Sequence, residues 1–278
     1  MGEMKVFRSI QPFPGVWHIT DAMGVSFTLI EGEERAILFD AGYGLEDVAA
    51  YVRTVTEKPV KVILSHGHHD HILGARWFGE CFLCAEDEDE FLLRTAVPQR
   101  ESVKRQAEGN GLTVPADFLT AAVPAPVFIR FEGKTGPYGA EDENLGGRTV
   151  RMIHVPGHTA GSVVCWVPDC GLLLTGDDWN PCTWMWFPCS MGAKEWRENM
   201  KALLTALEAD GGEILHVLCS HQPMVREGAE LKSFLAAVTD EALKAAPAVD
   251  MGSPIHTREF RDDGHGWVLI FDGDKQGD

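Results

Sequence analysis

The sequence of 278 residues has no long apolar run and little positive charge. Spanning a bilayer takes about 18 consecutive apolar residues, and because no such run occurs we expect no membrane partner. The N-terminus shows no signal-peptide pattern either. Lys and Arg number 24 against 42 Asp and Glu, which gives a formal net charge of −18. Because nucleic acid binding requires a basic surface, we expect a small-molecule substrate and no nucleic-acid partner.

Cysteine is too scattered to form a disulfide framework. The chain contains seven cysteines, an odd number, at irregular spacings. This usage is typical of the reducing cytoplasm, where we expect the protein to reside. The single C-x-x-C pair, Cys81 and Cys84, lies in an apolar run that reads as a strand, which would point the two sulfurs to opposite faces. We interpret both as buried core residues.

A histidine-rich turn is the most informative motif. It follows residues 60–64, an apolar and β-branched run that predicts a buried strand ending in a polar loop. Ligands placed at the end of a rigid strand are held still while they reach into a cleft. The turn therefore indicates metal chemistry rather than a covalent nucleophile. Its four potential metal ligands are His66, His68, Asp70 and His71.

Three further candidate ligands follow apolar runs later in the chain. They are His158, Asp177 and His221. Imidazole nitrogens and carboxylate oxygens suit zinc best, with iron and manganese as alternatives. Seven ligands are too many for one tetrahedral ion, but they fit two ions about 3.5–4 Å apart that share a carboxylate. We therefore expect two divalent metal ions.

The ordered ligand set resembles the metallo-β-lactamase superfamily of hydrolases, close to its glyoxalase II and lactonase-like branches. The resemblance implies that His66, His68 and His158 hold one ion. It implies that Asp70, His71 and His221 hold the second ion, and that Asp177 bridges the two together with a water or hydroxide. It also implies that Asp40 supports the ligands from behind, although Asp40 could instead only cap its own turn.

Strand-rich halves with helices to cover them predict an α+β fold, and the resemblance implies a four-layer αββα sandwich. We expect one domain over residues 1–278. Residues 86–95 and 98–108 read as charged helices, and we interpret residues 86–126 as a helical insertion near the site mouth. The insertion would serve as a lid, a homodimer contact or both, or it would only decorate the surface. Elsewhere, helices are predicted over residues 45–55, 194–209 and 227–246 from their apolar spacing.

The ligand set predicts a hydrolase in which a metal-bound hydroxide attacks the carbonyl of a lactone, thioester or ester. Asp70 and Asp177 would be catalytic by orienting the nucleophile or carrying its proton. A phosphodiesterase is the alternative within the same chemistry, but it would require Arg or Lys near the site. From other classes, a diiron oxygen or nitric oxide reductase typically has Glu where His68 stands, and a non-catalytic metal-binding protein remains open.

An aromatic segment follows Asp177. It contains Trp179, Trp184, Trp186 and Phe187, beside Pro181 and Pro188. The prolines and the poor helical spacing predict a loop. Aromatic side chains on a loop that leaves a metal site indicate the wall of an apolar substrate pocket. The alternative is that they fill the core or a subunit interface.

Overall fold

The computed structural model describes residues 7–131 and 139–275. The described residues form two compact units. The first unit is drawn from Met1–Arg130, Glu143–Val150 and Ser220–Met224, and the second from Phe131–Asp142, Arg151–Cys219 and Val225–Asp278. Helices and strands occur in both units, so the fold is α+β as predicted. The single domain over residues 1–278 stays a prediction beside this division.

The first unit contains a seven-stranded sheet whose strands follow one another in chain order. They are β1 (Arg8–Phe13), β2 (Val16–Thr20), β3 (Ser26–Glu31), β4 (Ala36–Phe39), β5 (Val60–Ile63), β6 (Phe82–Cys84) and β7 (Val127–Ile129). Strands β1 to β4 pair antiparallel, whereas β4 to β7 pair parallel. Since parallel neighbours end at the same edge of a sheet, the residues after β4 and β5 emerge together. This edge carries Asp40 and the histidine-rich turn.

The helices of the first unit are α1 (Val48–Val55), α2 (His69–Ile72), α3 (Glu88–Thr95) and α4 (Val97–Gly109). Helix α1 begins three residues later than predicted, because the Asp47 carboxylate accepts a hydrogen bond from Ala50 N at 2.7 Å and caps the helix there. Helices α3 and α4 match the charged helices predicted over residues 86–95 and 98–108 to within two residues. Residues 110–126 form turns and irregular backbone.

Strands β8 to β16 form two sheets, most of whose residues belong to the second unit. The strands are β8 (Ala140–Asn144), β9 (Thr149–His154), β10 (Val163–Val167), β11 (Leu172–Leu174), β12 (Cys182–Met185), β13 (His216–Leu218), β14 (Arg226–Glu227), β15 (Thr257–Arg261) and β16 (Val268–Asp272). The larger sheet has the order β14-β13-β11-β10-β9-β8, and the smaller has the order β12-β16-β15. His158 lies in the turn between β9 and β10, and Asp177 follows β11.

The helices of the second unit are α5 (Ala193–Ala209), α6 (Gly228–Ala237) and α7 (Asp240–Ala245). The prediction of one helix over residues 227–246 is wrong. Val238 leaves the helical conformation with ψ 76°, and the Thr239 hydroxyl accepts a hydrogen bond from Ala242 N, which starts a new helix. Among the helices of the described ranges, none is long and apolar enough to cross a bilayer.

Each unit has its own hydrophobic core. In the first unit, Cys81 and Cys84 are buried beside the sheet, as the strand interpretation predicted. In the second unit, helix α5 buries the apolar stripe that its sequence spacing indicates, namely Trp196, Met200, Leu203, Leu204 and Leu207. The close packing of each core against its sheets fixes the strand ends that carry the candidate ligands.

Candidate metal centre

Asp40 anchors the histidine-rich turn of the first unit. Its buried carboxylate accepts hydrogen bonds from Ser65 N at 2.6 Å, from Ser65 Oγ at 2.8 Å and from His71 Nδ1 at 2.9 Å. Among the described residues, Asp40 is the one non-glycine with a positive φ, 67°. This left-handed conformation is uncommon for a residue with a Cβ, and the three hydrogen bonds hold it in place. Asp40 therefore orients the ring of His71.

The same network sets the orientation of His66. Because the Ser65 hydroxyl donates to Asp40, its oxygen accepts from His66 Nδ1, which lies 2.9 Å away. His66 and His71 thus both carry their ring proton on Nδ1 and present the lone pair of Nε2. Histidine rings that bind metals are usually held in this way, by a hydrogen bond on the opposite nitrogen.

Asp70 and His221 complete a ligand-like group in the first unit. Asp70 Oδ2 lies 3.6 Å from His71 Nε2 and 3.7 Å from His221 Nε2. These distances exceed those of ordinary hydrogen bonds. They are close to the spacing of about 3.4 Å that separates two ligands of one tetrahedral ion bound at about 2.1 Å. The three side chains therefore have the chemistry and the spacing to hold one divalent cation.

The second unit supplies His158 and Asp177, both buried. His158 Nδ1 donates to the carbonyl oxygen of Trp184 at 2.6 Å, so its Nε2 presents the lone pair. That Nε2 lies 3.6 Å from Asp177 Oδ2, the same ligand-like spacing. The backbone of His158 is fixed as well, since its N–H donates to Asp178 Oδ1 at 2.7 Å. The donors of each unit, neutral imidazoles and carboxylates, fit zinc and similar divalent ions.

The aromatic residues after Asp177 differ in how far they are buried. Trp179 is fully buried and packs edge-on against Trp267, with ring centroids 5.6 Å apart. The prediction that Trp179 lines a substrate pocket is therefore wrong, because its indole belongs to the core. The predicted loop also contains strand β12, whose pairing with β16 gives the segment two faces. Trp184 lies on the exposed face and is 38 % exposed.

Of the other two aromatic residues, Phe187 contacts a candidate ligand and Trp186 packs against Phe187. Phe187 stacks on Trp186 with ring centroids 4.6 Å apart, and Trp184 lies 5.7 Å from Trp186. The ring of Phe187 meets the ring of His158 edge-on at 5.5 Å. Trp184, Trp186 and Phe187 thus form an aromatic cluster next to His158.

Sequence reasoning missed two acidic residues of the first unit, Asp21 and Glu46. Burial raises the pKa of Asp21 to about 6, although its carboxylate accepts hydrogen bonds from the N–H groups of Tyr43, Val25 and Met23, which lower the pKa. Burial and the nearby Asp21 charge raise the pKa of Glu46 to about 7. The one sequence signal for Asp21 is its position directly after a strand.

The raised pKa of Asp21 predicts a pH-dependent stability in the metal-free protein. Its protonated form stabilises the native state below pH 4, and this contribution is lost as the pH rises through about 6. Relative to the wild type, Asp21→Asn should therefore gain on the order of 3 kcal/mol in free energy of unfolding between pH 4 and pH 7.5, at about 1.4 kcal/mol per pKa unit. Urea denaturation of both proteins across this range measures the difference.

His18 does not confound this comparison. Burial lowers the pKa of His18 to about 4, but His18 titrates in both proteins, so its contribution cancels in the difference. If the difference in free energy of unfolding between the wild type and Asp21→Asn stays constant with pH, Asp21 is ionised throughout the range.

A sequence profile of the metallo-beta-lactamase superfamily matches residues 20–178, more than half of the chain. The chain belongs to this superfamily. A metallo-beta-lactamase from Pontibacter korlensis superposes with a TM-score of 0.54 at 18 % identity, covering 83 % of this chain and 97 % of that one. The predicted superfamily and the α+β fold of the metallo-β-lactamase type are therefore confirmed. The glyoxalase II or lactonase-like branch stays a prediction.

Two curated relatives extend the comparison. The acyl-coenzyme A thioesterase MBLAC2 of Homo sapiens is 26 % identical over 179 residues, which cover 55 % of this chain and 60 % of the relative. The probable metallo-hydrolase YqgX of Bacillus subtilis is 25 % identical over 146 residues, which cover 52 % and 61 % respectively. This metallo-β-lactamase superfamily member thus spans about three fifths of the length of these relatives.

Proposed function

We propose that the protein is a binuclear, metal-dependent hydrolase of small molecules that contain a lactone, thioester or ester. The arrangement around Asp40 is the observation that carries the proposal. It aligns His66 and His71 with Nε2 outward, and Asp70 lies at ligand spacing from His71 and His221. A histidine turn without a metal would have no need of rings fixed by a buried carboxylate.

The ligand assignment follows the superfamily resemblance. His66, His68 and His158 would hold one ion, and Asp70, His71 and His221 would hold the other. Asp177 would contact both. Zinc fits these donors best, with iron or manganese as alternatives.

Two divalent ions held by these residues would supply the Lewis acidity that activates a water molecule and polarises the carbonyl oxygen of the substrate. The residues of the chain determine how well that chemistry proceeds. Asp70 and Asp177 orient the water and accept its proton, and the bonds from Asp40 and from the Trp184 carbonyl keep the imidazoles from rotating. Rigid ligands avoid reorganisation during the reaction, which is the main advantage of a folded site.

The aromatic cluster of Trp184, Trp186 and Phe187 would bind the apolar part of the substrate. Its contact with His158 places an apolar surface next to a proposed metal ligand. The relative named as an acyl-coenzyme A thioesterase supports thioesters among the three substrate classes. We further propose a cytoplasmic location, which the seven free cysteines favour. The homodimer contact stays a prediction.

Metal removal tests the proposed function. Treatment with a chelator should abolish hydrolysis of lactones, thioesters or oxoesters, and zinc or manganese should restore it. His221→Ala should lower the activity at saturating zinc, whereas His256→Ala, which alters an exposed histidine, should not. Full activity after complete metal removal would contradict the proposal. Turnover of phosphodiesters alone, or reduction of oxygen or nitric oxide without hydrolysis, would also contradict it.

Replacement of Trp184 tests the aromatic cluster. Trp184→Ala should raise KM about three- to tenfold with little change in kcat, since an aromatic contact contributes about 0.5–1.5 kcal/mol. Leu92→Ala is a suitable control, because Leu92 is an exposed apolar residue on α3. Steady-state kinetics with acyl chains of increasing length measure the effect. An unchanged KM in a folded Trp184→Ala protein would remove the cluster from the substrate site.

A further inference from the structure

Helix α3 packs directly on the histidine-rich turn within the first unit. Asp87, the residue before α3, is buried, and its carboxylate accepts a hydrogen bond from Gly67 N at 2.7 Å. A Cβ at position 67 would lie 2.8 Å from Glu90 Cβ and 3.1 Å from Phe91 N. The turn and the helix therefore approach so closely that glycine is required at 67. Helix α3 is part of the wall that supports the turn.

Glu90 on α3 faces His68. Its Oε2 lies 3.6 Å from His68 Nε2 and 2.9 Å from Arg94 Nε, one helical turn further along. The side chains of His68 and Glu90 are 6 % and 16 % exposed, so water screens the pair weakly. Arg94 fixes the carboxylate in this position. The 3.6 Å distance exceeds that of an ordinary hydrogen bond. The negative charge of the carboxylate beside Nε2 nevertheless favours the tautomer of His68 that carries its proton on Nε2.

This arrangement differs from that of the neighbouring ligand histidines. His66 and His71 have their Nδ1 atoms engaged by Ser65 and Asp40, and so present Nε2. With Glu90 beside its Nε2, His68 would present Nδ1 instead. The first unit thus contains two carboxylates that act on histidine tautomers. Asp40 acts on His71 and, through Ser65, on His66, whereas Glu90 acts on His68.

We propose that Glu90 is a positioning residue for the metal ligand His68, and that helix α3 thereby sets the affinity for the ion that His66 and His68 bind. The proposal rests on the proposed function. Carboxylate partners of metal-bound histidines fix the ring and increase the basicity of the ligand nitrogen, and their loss typically lowers metal affinity about 10–100-fold. The predicted insertion then contributes to the metal site rather than acting only as a lid.

The test compares Glu90→Gln with Glu88→Gln. Both changes remove one negative charge from the first turn of α3, but Glu88 is exposed. Zinc affinity is measured by chelator competition on the full-length protein. Glu90→Gln should weaken zinc affinity at one of the two sites about 10–100-fold and leave the affinity of the other site unchanged. Glu88→Gln should leave both affinities unchanged. Thermal unfolding of the metal-free proteins serves as the control for folding.

A second measurement requires no variant. Long-range 1H–15N correlation spectra of the metal-free wild type report the tautomer of each histidine, and His68 should carry its proton on Nε2 while His66 and His71 carry theirs on Nδ1. If both zinc sites have the same affinity in Glu90→Gln as in the wild type, or if His68 carries its proton on Nδ1, the role of Glu90 is overturned while the proposed function stands. A wild type that binds no divalent ion would overturn the proposed function, and this inference with it.

Discussion

Asp177→Asn is expected to lower kcat/KM for the best ester or thioester substrate by at least about 10³-fold, or roughly 4 kcal/mol of transition-state stabilisation. Asp177 is buried, and its Oδ2 lies 3.6 Å from His158 Nε2, at ligand spacing. An amide keeps the shape of the side chain but removes the negative charge that Asp177 would supply as the proposed shared ligand of two cations. The measurement is steady-state kinetics at saturating zinc, together with the zinc content of each protein.

The control for this substitution is Asp169→Asn. Asp169 is an exposed residue in the turn before β11, so the same chemical change should leave kcat/KM and zinc content unaltered. A folded Asp177→Asn protein that retains the wild-type kcat/KM would show that Asp177 binds no catalytic ion.

Trp179→Ala is expected to destabilise the protein by about 3–5 kcal/mol, the usual cost of truncating a buried aromatic side chain. Trp179 is fully buried in the core of the second unit, where it packs against Trp267. Removing the indole leaves a cavity and also removes an aromatic pair. Urea denaturation followed by circular dichroism measures the loss.

Trp184→Ala is the matched comparison. It removes the same side chain five residues later, from the exposed face of β12, so the free energy of unfolding should change by less than about 1 kcal/mol. The two variants should therefore separate: one loses stability, and the other loses substrate affinity. Equal destabilisation by both would contradict the assignment of Trp179 to the core and of Trp184 to the surface.

The sequence predicts the local parts of this structure well. The stripe of apolar residues on α5 has a strong helical period, so the helix is predicted to within one residue at its start. The histidine-rich turn is equally local, because its four ligand-type residues follow a single strand. The contact between Asp40 and His71 follows from one further fact, the parallel pairing of β4 and β5.

Features that depend on tertiary packing escape the sequence. Trp179 and Trp184 have the same side chain in the same segment. The contact of Trp179 with Trp267, the residue before the distant strand β16, distinguishes the core residue from the surface residue. Glu90 reads as one more charge on a solvated helix, since nothing in its spacing reveals that α3 lies against Gly67. The break between α6 and α7 depends on a cap at Thr239, and the apolar pattern continues through it.

Anomalous diffraction from crystals of the zinc-loaded protein, recorded at the zinc absorption edge, tests the central claim most directly. Two peaks are expected for each chain, one bounded by His66, His68 and His158 and the other by Asp70, His71 and His221, with Asp177 contacting both. Zinc–nitrogen distances should be about 2.0–2.1 Å. No peak at these residues, or zinc peaks bound by other residues alone, would contradict the account.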